Sequence, residues 1–401
     1  MSAWGPLLPG TTLGVMGGGQ LGRMFVHAAQ RMGYRTAVLD PDADSPAGRV
    51  SETHLQFPYL SSEGLQRLAA SCDAITTEFE NVPADALAQL ALRRPVAPGA
   101  EAVAIAQDRA REKAHFLKCG VPVAPHHVIH TAAELPAVSP ALFPGILKTT
   151  RLGYDGKGQI RVAEASDLVQ AWQTLQGQAT TPVTCVLEKM LPLAAECSVI
   201  VARGTDGQQV HLPVQRNLHR EGILAVTEVF PEALDPEFSR QAIAAAQAVA
   251  AGLNYVGVLC VEFFLLAPGA EREALGPLVV NEMAPRPHNS GHYSQDACDV
   301  SQFELQVRCM AGLPLTPPRQ HSPALMLNLL GDLWLTDKDA PPKEPPWAAV
   351  LALPGTHLHL YGKTSARAGR KMGHLNITGA SPEAVRATAL QAATLLGIAP
   401  F

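Results

Sequence analysis

The sequence has 401 residues, of which 47% are hydrophobic and 17% are charged, and its formal net charge is −5. This length predicts two or three domains with sizeable cores, and the acidic balance excludes the basic footprint of a nucleic-acid-binding protein. No uninterrupted apolar stretch is long enough to span a bilayer. The seven cysteines are scattered singly and the N-terminus does not resemble a secretory signal. We therefore expect reduced thiols and a cytoplasmic protein without membrane or nucleic-acid partners.

The first recognisable unit is a strand, a glycine-rich turn, a helix and a second strand. The glycine run from Gly17 to Gly22 follows apolar residues 13–16 and precedes a helical pattern at 24–32. The next strand, 36–40, ends in Asp40, and the whole arrangement matches a dinucleotide-binding fingerprint. The same turn serves any anionic ligand at a helix N-terminus, so the pattern leaves the ligand open.

Residues 74–83 are typical of a strand that ends in a polar loop containing Glu78, Glu80 and Asn81. In an open α/β sheet such residues lie at the carboxyl edge of the strands, where ligands bind. A helix N-terminus with favourable acidic residues is the alternative. Alternating strands and helices to about Ala104 predict one doubly wound unit.

The central part begins with a helix from Gln107 to about Gly120. A strand ending in Lys148 and a strand at 160–162 flank the glycine-rich segment Gly153 to Gln159, which we call the flap. The backbone N–H groups of such a segment can close over phosphates. No helix follows and the Gly-Lys-Ser/Thr ending is missing, so the flap is not a Walker loop. An ordinary hairpin is the alternative.

Polar residues recur in the strands that follow the flap. Glu196 opens a strand predicted at 197–202, and a polar loop containing His219 is predicted at 215–222. A lone histidine is more often a hydrogen-bonded structural residue than a catalyst. An alanine-rich helix is predicted at 239–253.

Two apolar runs, 256–264 and 278–284, are typical of neighbouring buried strands, and each carries one carboxylate, Glu262 or Glu282. An ionised carboxylate in such a strand is costly unless something compensates it. With the amide of Asn281, the two offer the hard oxygen ligands that Mg²⁺ takes beside phosphates. Edge carboxylates paired with surface lysines are the alternative. The polar residues that follow, suited to an anionic substrate, are Arg286, His288 and Asn289.

The C-terminal part predicts a strand at 356–363, a turn and strand at 368–377, and a closing helix at 382–396. His357 and His359 share one face of the first strand. Without cysteine or acidic companions they are predicted to be structural and not zinc ligands. A local basic group, which suits either a phosphate or plain solvent, consists of Lys363, Arg370 and Lys371.

Together these segments resemble the ATP-grasp superfamily and, within it, the family of 5-(carboxyamino)imidazole ribonucleotide synthases, the ATP-dependent carboxylases of de novo purine synthesis. The similarity covers nearly the whole chain, from Gly14 to about Gly379. The motifs that carry it are Gly17 to Met24, Glu78 to Pro83, Gly153 to Gln159, Asn281 to His292, and His357 to Lys363 with Gly369 to His374.

The resemblance implies an α/β and α+β protein with the ATP-grasp fold. It implies a doubly wound, Rossmann-like preATP-grasp domain at 1–105 and an ATP-grasp domain at 106–311, whose flap subdomain covers about 125–190. A small C-terminal domain at 312–401 would contribute to substrate binding. The resemblance also implies a homodimer.

The family's roles map onto matching positions of this sequence. ATP would be bound by Arg109, Lys148, Gly153, Tyr154, Asp155, Gly156, Lys157, Gly158, Gln159, Glu188, Lys189, Met190, Leu191, Glu196, His219, Asn281 and Glu282. Within that set, the 188–191 segment would meet the adenine and Glu196 the ribose. Mg²⁺, or Mn²⁺, would be held by Glu262 and Glu282. The catalytic group would be Tyr154, Asp155, Lys157, Arg286, His288 and Asn289. The ribonucleotide would be held by Gly19, Gln20, Glu78, Lys363, Arg370 and Lys371, the three cations meeting its 5′-phosphate.

The implied reaction begins when ATP phosphorylates bicarbonate to give carboxyphosphate and ADP. The amine of aminoimidazole ribonucleotide then takes the carboxyl group, directly or through CO₂, and Asp155 or the departing phosphate accepts its proton. Flap closure would exclude water from the labile carboxyphosphate. Leu152 replaces an expected second glycine, residues 150–151 also vary, and the insert at 267–276 is longer than expected, but none touches a named ligand.

Two other functions are considered. A formate-dependent glycinamide ribonucleotide transformylase would share the fold and the Mg-ATP site, but the stretches at 286–292 and 363–374 favour the carboxylase. A nicotinamide-dependent oxidoreductase would rest on the glycine run and Asp40, and would leave Glu262, Glu282 and the flap without a role.

Overall fold

The computed structural model describes residues 4–151, 158–177, 179, 181–335 and 341–401. Its N-terminal part alternates strands with helices around a parallel sheet. The elements are β1 (Thr12–Met16), α1 (Gln20–Arg31), β2 (Arg35–Leu39), β3 (Thr53–Leu55), α2 (Ser62–Ser71), β4 (Ala74–Thr77), α3 (Ala84–Ala91) and α4 (Ala100–Ala106). The strand order is β3-β2-β1-β4 and all three pairings are parallel. The doubly wound unit predicted from the alternation is therefore present, and the carboxyl ends of β1 and β4 meet at one edge.

A four-stranded antiparallel sheet, which we call the flap sheet, comes next. The elements are α5 (Arg109–Lys118), β5 (His126–Ile129), β6 (Gly145–Thr149), β7 (Gln159–Val162), α6 (Leu168–Gly177) and β8 (Cys185–Lys189). The sheet order is β5-β8-β6-β7, and Leu175 of α6 packs in one buried apolar cluster with Leu147 of β6 and Leu187 of β8. Lys148 lies near the end of β6, opposite Gln159, the last residue of the predicted flap.

A large antiparallel sheet forms the rest of the molecule. Its elements are β9 (Leu193–Arg203), β10 (Gln209–His211), β11 (Gln215–Arg220), β12 (Ile223–Val229), α7 (Pro236–Gly252), β13 (Gly257–Leu266), α8 (Ala270–Leu275), β14 (Leu278–Ala284), α9 (Ser294–Ala297), α10 (Gln302–Met310), β15 (Ala324–Leu330), α11 (Trp347–Leu351), β16 (Thr356–Leu360), β17 (Lys371–Thr378) and α12 (Pro382–Leu396). The strand order is β14-β13-β9-β11-β12-β15-β17-β16, and β10 pairs with β9.

Different elements pack on the two faces of this sheet. One face is covered by α7 at the β9, β13 and β14 end and by α12 at the β15 and β17 end, each over an apolar core. The other face shares an apolar core with α10 and the N-terminal unit, including Val258, Phe303 and Leu13. The polar residues of the candidate site lie at the rim of this second core, near the carboxyl ends of the N-terminal strands.

The predicted polar loop at 215–222 is wrong for its first six residues, which form β11. Gln215 and Asn217 are buried and alternate with the exposed Arg216, and the turn to β12 uses Glu221 and Gly222, both with positive φ. Both buried amides form hydrogen bonds with Ser198. In the sequence they cannot be told from solvated residues, so the strand lacked the apolar pattern that would have predicted it. Likewise β9 begins three residues before Glu196, at Leu193, where the two alanines that precede Glu196 are of a type depleted in strands.

The large sheet does not stop at the predicted C-terminal boundary, because β15 pairs with β12 through Val226 opposite Leu327. The predicted boundary near residue 105 falls at the end of α4. Both boundaries stay predictions. Within the described ranges, every helix is too short or too polar to cross a membrane.

Candidate active site

Two carboxylates face each other on neighbouring strands of the large sheet. Glu262 in β13 lies opposite Glu282 in β14, and the ladder then skips Asn281, which is the extra residue of a β-bulge. Bulges re-aim side chains, and this one lies directly beside Glu282. Burial and the neighbouring Glu282 carboxylate raise the pKa of Glu262 to about 7. Two crowded carboxylates of this kind fit a divalent cation, which would remove their repulsion.

Helix α5 supplies the cation that faces this carboxylate pair. Arg109 Nη1 lies 3.1 Å from Glu282 Oε2. One turn further on, Glu112 is buried and accepts a 2.7 Å hydrogen bond from the backbone N–H of Met283. Burial, and then the charge of Glu282, raises the pKa of Glu112 to about 8. Glu112 was not among the predicted site residues, although its place three residues after Arg109 puts both on one face of the helix.

A buried carboxylate joins two lysines beside the flap sheet. Glu188 Oε2 lies 3.1 Å from Lys148 Nζ, and Glu188 Oε1 lies 3.3 Å from Lys113 Nζ. Burial alone would raise the pKa of Glu188, but Lys148, Lys113 and Arg109 lower it to about 2. Lys113 was also missed. It follows Arg109 by four residues, so helical spacing was the available signal.

The remaining nucleotide-binding candidates lie on either side of this triad. Glu196 in β9 forms an ion pair with His219 in β11, and this hydrogen bond together with the charges of Glu262 and Glu196 raises the pKa of His219 against the effect of burial. Lys189 Nζ lies 2.9 Å from Glu271 Oε1. Met190 donates its backbone N–H to Pro144, 2.9 Å away.

The structure places only part of the predicted flap. Gly158 accepts a 2.9 Å hydrogen bond from the N–H of Thr149, and Gln159 opens β7 opposite Lys148. The other flap residues predicted for the site lie outside the described residues. They are Gly153, Tyr154, Asp155, Gly156 and Lys157.

The predicted anion-binding residues follow β14 directly. The Arg286 guanidinium pairs with the carboxylate of Glu80, which comes from the loop after β4. Burial would raise the pKa of Glu80, but Arg286 lowers it, and Glu80 in turn raises the pKa of Arg286. The Nδ2 of Asn289 is buried and has no hydrogen-bond partner among the residues that the structure describes. Its N–H groups are therefore suited to a ligand oxygen.

His288 lies between these residues and the carboxylate pair. Its Nε2 is 3.2 Å from Glu262 Oε1. Burial, and then the positive charges of Arg286 and Lys371, lower the pKa of His288 well below its usual value. Its imidazole is therefore neutral at physiological pH, a property that no motif could have indicated.

A cavity of about 510 Å³ separates the carboxyl edge of the N-terminal sheet from the C-terminal strands. Its polar lining includes Gln20, Glu78, Glu80, Arg286, His288, Asn289, Lys363, Arg367, Arg370 and Lys371. Lys363 Nζ donates to the carbonyl of Lys371, 2.6 Å away, and Arg370 Nη1 donates to the carbonyl of Ser365, 2.7 Å away. Arg367 was missed because no regular element or motif singled it out.

The glycine turn is filled by the protein's own carboxylates. The N–H of Gly18 donates to Asp40 over 2.7 Å, and those of Gly19 and Gly22 donate to the two oxygens of Glu78 over 2.7 and 3.0 Å. A Cβ on Gly19 would lie 2.4 Å from Glu78 Oε1, so only glycine admits this contact. The N–H groups that would bind a dinucleotide pyrophosphate are thus occupied, which weighs against the oxidoreductase alternative.

The histidine pair on β16 has a companion that the sequence did not reveal. His359 Nε2 lies 2.8 Å from Asp296 of α9, and His357 Nδ1 lies 3.7 Å from the same carboxyl group. His359 also stacks on His374, with ring centroids 4.4 Å apart. Tertiary packing supplies the acidic partner that was predicted to be absent.

Comparison with known proteins defines the class first. Family models match a ribonucleotide synthetase preATP-grasp domain over residues 10–107 and an ATP-grasp domain over residues 114–303. A third model, the phosphoribosylaminoimidazole carboxylase C-terminal domain, matches residues 324–388. The chain therefore has the ATP-grasp fold predicted from its motifs, and it belongs to the ATP-dependent ligases of that superfamily.

Individual relatives define the family. The chain is 42% identical to the N5-carboxyaminoimidazole ribonucleotide synthase of Brucella melitensis over 370 residues, which are 92% of this chain and 96% of the relative. It is 39% identical to that of Bacillus subtilis over 371 residues, 92% of each chain. A solved ADP complex of an N5-carboxyaminoimidazole ribonucleotide synthetase superposes with a TM-score of 0.87 at 39% identity, covering 98% of both chains.

A further solved structure, from Aspergillus clavatus, carries ADP and 5-aminoimidazole ribonucleotide; it has a TM-score of 0.82 at 28% identity, covering 96% of this chain and 98% of that one. The chain belongs to the N5-carboxyaminoimidazole ribonucleotide synthase family. It is an ATP-dependent enzyme that carboxylates aminoimidazole ribonucleotide in purine biosynthesis. The predicted fold class, enzyme class and function are confirmed.

Proposed function

We propose that the cleft divides this carboxylation among three adjoining groups of residues. The observation that carries the proposal is the shared lining of two cavities. Arg286, His288 and Lys371 line both the 510 Å³ cavity and a smaller one, of about 110 Å³, that contains Glu262 and Glu282. A carboxyl group activated beside the metal-binding carboxylates would therefore face the ribonucleotide without crossing solvent.

The first group would bind Mg-ATP. Arg109, Lys148, His219 and the flap would surround the phosphates, Glu196 would meet the ribose, and the 188–191 segment would meet the adenine. Leu191 packs with Phe264 on the apolar cluster of Leu266 and Val279, which suits a flat base. Glu262 and Glu282 would hold Mg²⁺, or Mn²⁺, and Asn281 and Glu282 would also serve ATP. When bound, the cation would neutralise phosphate charge during phosphoryl transfer.

The second group would hold bicarbonate and the carboxyphosphate made from it. Glu80 orients the Arg286 guanidinium, and a guanidinium presents two N–H donors to a planar carboxylate. Asn289 contributes a buried donor beside it. These fixed donors would stabilise the negative charge that develops during transfer, without reorganisation. Tyr154 and Lys157 of the flap are proposed to close over this group.

The third group would hold aminoimidazole ribonucleotide. Lys363, Arg370 and Lys371 would bind its 5′-phosphate, with Arg367 as a fourth cation. Gln20 and Glu78 would face the rest of the ligand, and Gly19 would keep Glu78 in place through its N–H. Asp155, or the departing phosphate, would accept the proton that the amine loses when the new C–N bond forms.

Three coarser features complete the proposal. The domains are proposed at 1–105, 106–311 and 312–401, with a flap subdomain at about 125–190. A homodimer is the expectation from family resemblance. A cytoplasmic location is supported by the seven free thiols, because disulfides are rare in that compartment.

The test is release of ADP from Mg-ATP and bicarbonate, with and without aminoimidazole ribonucleotide. We expect strong stimulation by this ribonucleotide, no dependence on formate, and loss of stimulation when Arg370 or Lys371 is replaced. Turnover on formate and glycinamide ribonucleotide would instead support the transformylase. Stimulation that survives replacement of Arg370 and Lys371 would contradict the proposed phosphate site.

A further inference from the structure

The loop between β14 and α9 holds the ring of His288 at both nitrogens. His288 precedes one turn of 3₁₀ helix at Asn289–Gly291, and its Nδ1 accepts from the backbone N–H of Ser290 over 3.3 Å. The Ser290 hydroxyl lies 3.0 Å from the same Nδ1. The other nitrogen, Nε2, lies 3.2 Å from Glu262 Oε1. Nδ1 therefore faces a hydrogen-bond donor, and Nε2 faces a carboxylate, which accepts hydrogen bonds.

The backbone partner determines where the ring proton is. A backbone N–H can only donate, so the Nδ1 that receives it carries a lone pair and no proton. A neutral imidazole without hydrogen on Nδ1 carries it on Nε2. In this structure Nε2 is thus a donor, and the carboxylate of Glu262 is a suitable acceptor.

We propose that Ser290 is a positioning residue for the carboxylation, because it fixes His288 as the Nε2–H tautomer. When the anion binds, the Nε2–H would turn from Glu262 to bicarbonate or carboxyphosphate, and that nitrogen does not accept a proton. This inference rests on the proposed role of His288 as an anion ligand. It adds the direction of the hydrogen bond and the residue that sets it.

A buried chain of hydroxyls and amides supports Ser290 from behind. Ser290 Oγ lies 2.8 Å from Ser198 Oγ in β9, and Ser198 Oγ accepts from Asn217 Nδ2 in β11 over 2.9 Å. Asn217 Oδ1 accepts from Thr227 Oγ1 in β12 over 3.1 Å. All four side chains are buried. A polar chain that spans three strands and is satisfied at each step restricts the rotamers of its members.

Helix α10 holds the backbone of the same residue. Gln302 accepts from the N–H of His288 over 2.8 Å and donates to its carbonyl over 2.7 Å. The second Nε2 hydrogen of Gln302 is directed at His292 Nδ1, 2.9 Å away. A Cβ on Gly291 would lie 2.5 Å from Gln302 Oε1, so a glycine is needed there. Backbone and ring are therefore fixed by separate contacts.

The fixed tautomer also argues against a metal ion bound by His288 together with Cys260 and Glu262. Ligand atoms of Cys260, Glu262 and His288 lie within 4.8 Å of one another, which is close enough for a metal ion. A zinc-like ion needs the lone pair of a histidine nitrogen. The nitrogen of His288 that faces Glu262 is Nε2, which carries a proton, so a metal ion there would first require the ring to flip and lose its contact with Ser290.

The direct test is ¹⁵N NMR of the full chain labelled at histidine, with the His288 signals assigned from a His288→Gln variant. We expect an unprotonated Nδ1 and a protonated Nε2 without substrates. A protonated Nδ1 would overturn the inference whatever the activity. If the wild type shows no ribonucleotide-dependent ADP release, the proposed function fails while the tautomer result stands by itself.

Two substitutions of His288 test whether its Nε2 acts as a hydrogen-bond donor or as a base. Glutamine at position 288 places an amide N–H₂ near the place of Nε2, whereas asparagine places it near Nδ1. We expect His288→Gln to keep kcat/KM for bicarbonate within about tenfold of the wild type and His288→Asn to lose about tenfold more, the worth of one hydrogen bond to an anion. Equal losses in both variants would contradict the donor role.

The hydroxyl is tested by Ser290→Ala, which keeps the backbone N–H that sets the tautomer and removes the second contact to Nδ1. Because the ring is then held less firmly, KM for bicarbonate should rise about 3–10-fold, while KM for ATP and for the ribonucleotide should stay within about twofold. The matched control is Ser294→Ala at the start of α9, whose hydroxyl donates to the carbonyl of Gly291 over 2.6 Å and accepts from the backbone N–H of Gln302 over 3.0 Å. It should lower the unfolding temperature and leave KM for bicarbonate within about twofold of the wild type. The same rise in KM for all three substrates in Ser290→Ala would indicate a merely structural role.

Discussion

The two adjoining cavities differ in their balance of acidic and basic side chains, and the contrast bears on what each would bind. The small cavity is lined by four carboxylates, Glu80, Glu112, Glu262 and Glu282, against three cations, Arg109, Arg286 and Lys371. The large cavity is lined by five cations, Arg286, Lys363, Arg367, Arg370 and Lys371, against two carboxylates, Glu78 and Glu80.

The difference indicates the charge of the ligand that each cavity would bind. Excess carboxylate in a buried place calls for a cation, because like charges in a poorly solvated site repel strongly. Excess cation calls for a phosphate, which carries close to two negative charges. Arg286 and Lys371 line both cavities. The place where the two cavities meet is therefore where we propose that the carboxyl group passes from carboxyphosphate to the ribonucleotide.

The largest expected effect is at the small cavity. Glu262→Gln should lower kcat about 10²–10³-fold, because one oxygen ligand and one charge for the divalent cation are lost. Without metal, the unfolding temperature should be unchanged or higher, since a like-charge contact is removed. Steady-state kinetics across a Mg²⁺ titration is the measurement.

The exposed Glu237→Gln serves as the control for Glu262→Gln. Full activity of Glu262→Gln, with an unchanged Mg²⁺ dependence, would show that the carboxylate pair does not hold the metal.

The next effect is on stability at the buried triad. Lys113→Met leaves Glu188 with one lysine partner and should lower the free energy of unfolding by about 2–4 kcal/mol at pH 7. The folded-state pKa of Glu188 is about 2, below its ordinary value, so its stabilising contribution is present above about pH 4.3 and is lost as the pH falls towards 2.

The deficit of Lys113→Met should therefore shrink as the pH falls below about 4.3, as measured by urea unfolding. Lys118→Met, exposed on the same helix, is the control and should change stability little. A deficit that stays constant with pH would mean that the ion pair is not its cause.

A smaller effect is expected in the large cavity. Arg370→Met and Arg367→Met should each raise KM for the ribonucleotide about 10–30-fold, the worth of one charged hydrogen bond, and leave KM for ATP unchanged. Arg240→Met, on the surface of α7, should change neither constant. A rise in KM for ATP instead would reverse the assignment of the two cavities.

The smallest effect is expected at Tyr59 and Asp40, which support the glycine turn and do not line either cavity. Tyr59 donates a 2.6 Å hydrogen bond to Asp40, which also holds the N–H of Gly18. Tyr59→Phe should cost about 1 kcal/mol in unfolding free energy and leave the KM of every substrate unchanged. Calorimetry and kinetics together check this. Measurable NAD binding by either protein would contradict the structural role given to Asp40.

Much of the site was predictable because its residues lie in short, regular motifs. The strands carrying Glu262 and Glu282 could be placed opposite each other from their apolar pattern alone. Residues whose role depends on a distant partner could not be found this way. Glu80, which pairs with Arg286 about two hundred positions later, was seen only as an edge carboxylate. Lys113 and Arg367 carry no local signal of burial or of a cavity.

The sequence by itself determined the order of elements, the family and the chemical types at the site, because helical and strand periodicity and glycine spacing are local properties of the chain. The tertiary structure alone decided how charge is distributed and where protons are. The pairing of Glu80 with Arg286, the sharing of Glu188 by two lysines and the tautomer of His288 each depend on atoms that distant segments bring together. A pKa or a tautomer depends on those neighbours within a few ångströms, and only the fold supplies them.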